Sequence, residues 1–169
     1  MSFKKIELDQ LSFNPFLSIG RDWMLLTGGT SEKFNTMTAS WGQLGRLWNK
    51  NVLTAYIRPN RYTFEFVDKD DSFTASFFTM AHRKELSFCG SNSGRDVDKV
   101  KETGLTPVEL DGRMAFEEAE MVFVLRKLYT YDMQESGFVT DDGFPQAFYS
   151  ADPYHKAFIC EITAAYVKE

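Results

Sequence analysis

Three separated stretches of the chain put small polar and cationic residues where a packed core has no use for them. In Asn35-Thr36-Met37-Thr38-Ala39-Ser40-Trp41-Gly42, a row of hydroxyls and small side chains leads to one indole. Small residues let a flat ligand come close to backbone N–H groups. Thr38, Ala39 and Ser40 would equally suit an ordinary edge strand, and Trp41 an ordinary core. Arg58-Pro59-Asn60-Arg61-Tyr62-Thr63 sets two guanidinium groups at the start of a helix, where free N–H groups and the dipole favour an anion. Arginine suits bidentate contact with phosphate, and Asn60 and Thr63 add donors. Surface ion pairs with nearby acids would occupy Arg58 and Arg61 just as well. The third stretch, Gly90 to Lys99, is a Gly/Ser loop running into another helix start, with Ser93, Arg95 and Lys99 in it. A cation there opposes the helix dipole, and a bound anion would relieve the conflict. In the plainer reading Ser93 or Asp96 caps the helix, and Arg95 and Lys99 point to water.

His155 opens the last apolar segment after a long irregular stretch, either at the mouth of a site or on the surface. His82 has less to recommend it. No spacing supports a Ser-His-Asp triad or a carboxylate pair. Neither loop is a Walker A or Gly-x-Gly-x-x-Gly turn, which argues against a P-loop nucleotidase and a Rossmann dehydrogenase.

The charge is −5, from 24 acidic and 19 basic residues, so general nucleic-acid binding is not expected. Two anion-ready stretches in an acidic chain suggest one phosphorylated ligand. No apolar run nears the roughly 20 residues of a membrane span, and the first ten residues hold no signal-peptide core. Two cysteines and two histidines leave no zinc-site pattern, so no metal is expected. Unpaired thiols fit the cytoplasm.

Elements must bring these stretches together. At 169 residues and 43% hydrophobic, the chain suits one globular domain, 1–169, and its 16 Phe argue for a β-rich core. Strands are expected over Asp22 to Thr27 (closed by Gly28-Gly29), Phe34 to Ser40, Val52 to Ile57 and Ser72 to Phe78. Trp41 to Gly45 reads as a turn-rich connection. A helix capped by Asn60 should run from Arg61 to Lys69, with one or two helical turns from Arg83 to Phe88. Another helix should open at Ser93 to Asp96 and end at Gly104. Glu120 to Tyr129 and Ala157 to Val167 are apolar on both faces, as in strands covered outside by a helix or another subunit. Residues 1–20 read as a lead-in, 1–13 of them as an arm. Residues 134–156 read as a long loop near the site or a subunit interface. The expected class is mainly β, a small antiparallel barrel with a few short helices.

The ordered set Asn35 to Gly42, Arg58 to Thr63 and Ser93 to Lys99 resembles the flavin reductase-like family of FMN-binding split barrels, its flavoredoxin subgroup in particular. The likeness runs from about Asn14 to Val167. It implies a split, Greek-key-like barrel, a homodimer with FMN near the interface, and hydride transfer from NAD(P)H to the flavin. It implies an NAD(P)H:flavin reductase or a flavoredoxin-like electron carrier; a flavin-binding module without turnover is the alternative. On this likeness Thr38, Ala39, Ser40 and Trp41 line the ring and ribityl chain. Asn60, Arg61 and Thr63 sit at the phosphate end, Ser93, Arg95 and Lys99 add further polar and phosphate contacts, and Arg58 joins the cofactor-binding set. His155 matches the family's histidine ahead of the final strand, the one candidate for a catalytic group. Cys160 stands where the family usually has Gly.

Overall fold

The computed structural model describes residues 2–169. Period-2 hydrophobicity builds one eight-stranded, antiparallel sheet. Its main path is β3 (Lys33–Ala39), β2 (Met24–Thr30), β6 (Ser72–Phe77), β9 (Met121–Asp132), β10 (Lys156–Lys168), β5 (Lys50–Ile57) and β4 (Gly42–Leu47). β3 and β4 are the two ends of this path, yet only Ser40 and Trp41 separate them in the chain. From Ala39 to Gly42 is three Cα–Cα steps, at most about 11 Å, so the sheet must curl until its ends lie side by side. The result is a barrel split along one seam, and the first candidate stretch runs through that seam.

The strands that read as apolar on both faces divide their side chains between two cores. Leu26, Phe73, Phe123 and Leu125 fill the barrel interior with Phe158 and Ile57. Leu25, Val122 and Val124 face outward, against Leu86 and Cys89 of α3 (Arg83–Ser91) and against Ala115 and Phe116. Ala115 and Phe116 lie on β8 (Arg113–Phe116), which pairs with β7 (Pro107–Leu110) in a hairpin unforeseen from the sequence. The outer cover is thus supplied within the chain. Cys160 is fully buried in the interior core, and burial pushes its thiol up to about 12.

Several expectations need correcting. Trp41 to Gly45 is no turn: β4 starts at Gly42 and pairs with β5 from Gly42↔Ala55 to Leu47↔Lys50. Gly28 and Gly29 lie inside β2, paired with Asn35 and Phe34. The lead-in is partly ordered. β1 (Phe3–Ile6) adds to the C-terminal half of β10, and α1 (Pro15–Gly20) is capped by Asn14, whose side chain accepts from the Phe16 N–H. α2 (Tyr62–Lys69) starts one residue later than expected, without a cap from Asn60. α4 (Lys99–Thr103) is a single turn, capped by Asp98 rather than by Ser93 or Asp96. It ends at Gly104 as expected, in the left-handed conformation (φ 71°) that glycine tolerates best. The loop 134–156 carries α5 (Phe144–Tyr149).

Candidate functional site

The β3–β4 seam opens a cleft of about 180 Å³, lined by Thr38, Ala39, Ser40 and Trp41 from the first stretch, Arg58 and Arg61 from the second, and His155. β3 has a strand partner on one side only, so every second N–H of it is free of the sheet ladder. The Thr38 hydroxyl is not free: it donates to the Leu86 carbonyl and ties β3 to α3.

Past Arg61 and Met37 lies a smaller cleft of about 70 Å³, lined by Asn60, Thr63, Gly90, Ser93 and Lys99. Thr63 is buried and its oxygen accepts from the Asn35 amide at 2.7 Å, which leaves its own O–H to donate elsewhere. Lys99 does not point to water. It is 7% exposed, and its ammonium donates to the carbonyls of Thr36 (2.8 Å) and Cys89 (2.7 Å). One of its three protons remains uncommitted. Burial pulls the Lys99 pKa down, and Arg61 pulls it the same way. An anion in this cleft would oppose both effects.

The two arginines part company. Arg58 is largely buried, pairs with Asp152 and donates to the Phe148 carbonyl at 2.8 Å. Arg61 has no carboxylate within 4 Å among the described residues; it reaches only the Gly90 carbonyl, at 3.5 Å. Asn60 spends its amide on Asp152 as well. Arg95 lines neither cleft. It pairs with Glu65, lies 4.8 Å from the Tyr62 ring centre and faces a neighbouring groove. Ser93 lines the small cleft, and its hydroxyl oxygen accepts from the Arg95 N–H.

His155 lines the seam cleft and does not lie on the surface. It is 8% exposed, its ring centre lies 5.3 Å from that of Trp41, and its Nδ1 is 2.9 Å from the Tyr149 hydroxyl. Burial, then Arg58 and Arg61, lower its pKa to about 4, so it is neutral at pH 7. α5 roofs this end: Phe148 stands edge-on to Trp41, and Tyr149 holds His155. Sequence reasoning missed Tyr56, Tyr149 and Asp152. Tyr56 alternates like any strand residue, and Tyr149 and Asp152 sit in a stretch with no period. His82 packs on Phe78 instead, outside the site.

The arrangement offers an aromatic-edged slot that continues into a cationic recess, the shape of a flat ring with a phosphorylated tail. A sequence model of the flavin reductase-like domain matches residues 16–169. The chain belongs to the flavin reductase-like family. No curated protein matches the sequence. Among solved structures, flavoredoxin from Methanosarcina acetivorans is similar at 22% identity and a TM-score of 0.69, over 88% of this chain and 69% of that one. Flavoredoxin of Desulfovibrio vulgaris (Miyazaki F) is 20% identical with a TM-score of 0.68, over 98% and 78%. An NADH:FAD oxidoreductase from Streptomyces globisporus is 13% identical with a TM-score of 0.65, over 85% and 73%. At these identities the shared property is the flavin reductase-like fold.

Proposed function

We propose that this flavin reductase-like chain binds FMN along the split-barrel seam and works as an NAD(P)H-dependent flavin reductase or a flavoredoxin-like electron carrier. The observation that carries this is the convergence of three distant stretches on one slot whose inner end holds a guanidinium, Arg61, without a carboxylate partner. The residues present fit the group. Arg61, the remaining Lys99 proton and the Thr63 hydroxyl are donors suited to a phosphate. Trp41, Tyr56 and His155 edge a slot suited to a ring. FMN supplies the hydride-accepting chemistry, and the protein supplies position and electrostatics.

The residues at the ring end have limited tasks. Unpaired N–H groups along β3 would meet the polar edge of the ring, where negative charge gathers on reduction; donors fixed in advance stabilise such charge. Neutral His155, held by Tyr149, adds a hydrogen-bonding group without adding charge. Trp41 and Phe148 are each 43% exposed at the mouth. A second copy of the chain covering that mouth would exclude water, and a homodimer is part of this proposal, as is a cytoplasmic location.

The test is direct. Purified protein reconstituted with FMN should be yellow, and anaerobic NADH or NADPH should bleach it. Retained colour with both nucleotides would make it a binding module without turnover. Failure to take up FMN would end the reading.

A further inference from the structure

We propose that residues 134–154 form a closed roof over the ring end of the seam, latched by Arg58, and that a ligand enters only after the latch opens. This rests on the flavin reading above and extends it to how the site is filled. The seam cleft is about 180 Å³ and the recess behind it about 70 Å³. Sites for ligands of drug-like size measure about 300–1,000 Å³. The residues suit FMN, but the slot must widen to take it. Two of its walls cannot yield: Thr38 and Ala39 are paired into the sheet through β3, and Tyr56 through β5. The other side is Trp41, Arg58 and His155, and all three are held by the roof.

Phe148 stands edge-on to Trp41, with ring centres 5.3 Å apart, and the Tyr149 hydroxyl lies 2.9 Å from His155 Nδ1. Arg58 gathers the remaining ties. It donates to the Phe148 carbonyl at 2.8 Å, pairs with Asp152 and lies 5.6 Å from the Tyr149 ring centre. Asp152 also accepts from the Asn60 amide at 3.2 Å. The roof is built to move as one piece. None of residues 134–154 is buried, so no core packing anchors it. Phe138, Tyr149 and Tyr154 pack on one another, with Tyr149 and Tyr154 stacked at 4.4 Å. Its two ends meet at the base, where the Met133 N–H donates to the His155 carbonyl at 2.9 Å and Asp132 pairs with Lys156. A compact loop with joined ends, packed by its own side chains, swings as a unit. Opening breaks the contacts of Arg58, Asn60, Trp41 and His155 and exposes no core, which puts it at the low-stability end of the molecule's motions.

The test follows FMN uptake by stopped flow and, in the flavin-free protein, chymotrypsin nicking at Phe144, Phe148 and Tyr149. Nicking tracks the open population when opening is fast relative to cleavage. In the unsubstituted protein the uptake rate should level off at high FMN, at the opening rate of the roof. Asp152→Asn, on an exposed side chain, should raise that plateau and the nicking rate together by about two- to fivefold, the scale of one partly exposed ion pair. Arg58→Met also loses the carbonyl bond and the ring contact and should raise both about tenfold or more. Arg58→Lys keeps the charge without the fork and should fall between. Asp152→Asn serves alone if the Arg58 variants disturb folding. Faster nicking in these variants without FMN uptake would keep the latch and remove the flavin reading. Uptake proportional to FMN concentration throughout, with nicking indifferent to the substitutions, would overturn the latch while the FMN reading stood. An affinity change in Asp152→Asn with plateau and nicking unmoved would also overturn it, since Asp152 would then act on the ligand's charge alone.

Discussion

Arg61 and Arg58 have the same chemistry and almost the same place in the chain, and their partners set them apart. A phosphate reaching Arg61 displaces only a long contact to a carbonyl. Charge-assisted hydrogen bonds contribute about 1.5–3 kcal/mol, so Arg61→Ala should weaken FMN binding about ten- to hundredfold in a fluorescence titration. Unchanged affinity would move the phosphate elsewhere. Arg58 is already engaged by Asp152, which also holds Asn60. That carboxylate occupies two groups a phosphorylated ligand could use. Asp152→Asn removes the competing charge and should raise FMN affinity severalfold, within the modest scale of exposed ion pairs. A fall in affinity would mean that Asp152 instead holds Arg58 in its working position. Which arginine is free could not be read from Arg58-Pro59-Asn60-Arg61, because Asp152 lies over 90 residues away in the chain.

The elements were legible where burial imposed an apolar pattern and illegible where it did not. β6 alternates Phe73, Ala75 and Phe77, while β2, β9 and β10 are apolar runs buried on both faces over part of their length, and all four declared themselves. β4 is an edge ribbon exposed along most of its length, so its Gly42-Gln43-Leu44-Gly45 shows no alternation; pairing with β5 alone makes it a strand. The β7–β8 hairpin did leave a signal, the Asp111-Gly112 turn, where both residues have positive φ. The loop from Ser93 to Val97 looked like a helix start because it holds capping residues, but it is a turn pressed against β3. Gly94 is what allows the approach: a Cβ there would lie 1.9 Å from Asn35 Oδ1. Asn35 is buried and anchors Thr63, so it has little room to yield. Gly94→Ala should therefore cost about 1–3 kcal/mol in denaturant unfolding and weaken FMN binding as well. Full stability in that variant would show that the loop can back away from β3.

Across the whole molecule, the site exists because the barrel does not close. The three stretches were legible as polar anomalies, and the family likeness tied them together; their meeting point depends on β3 and β4 being neighbours in the chain and opposite ends of the sheet. His155 lies at that meeting point and couples the site to global stability. Unfolded, it takes a proton near pH 6.5; folded, only near pH 4, because burial and then Arg58 and Arg61 oppose the charge, with Asp152 the weaker counterweight. Between these values the unfolded chain binds the extra proton, so stability rises with pH. The contribution is complete above about pH 6.5 and lost as the pH falls towards 4, on the order of 3 kcal/mol in all. Carboxylates with lowered pKa, such as Asp22 and Glu161, add their losses only lower down. The urea midpoint should thus drop between pH 7 and 4.5, and His155→Asn, neutral throughout, should flatten that drop. An equally steep profile in the variant would place the proton uptake on another group and remove the buried neutral imidazole from the seam.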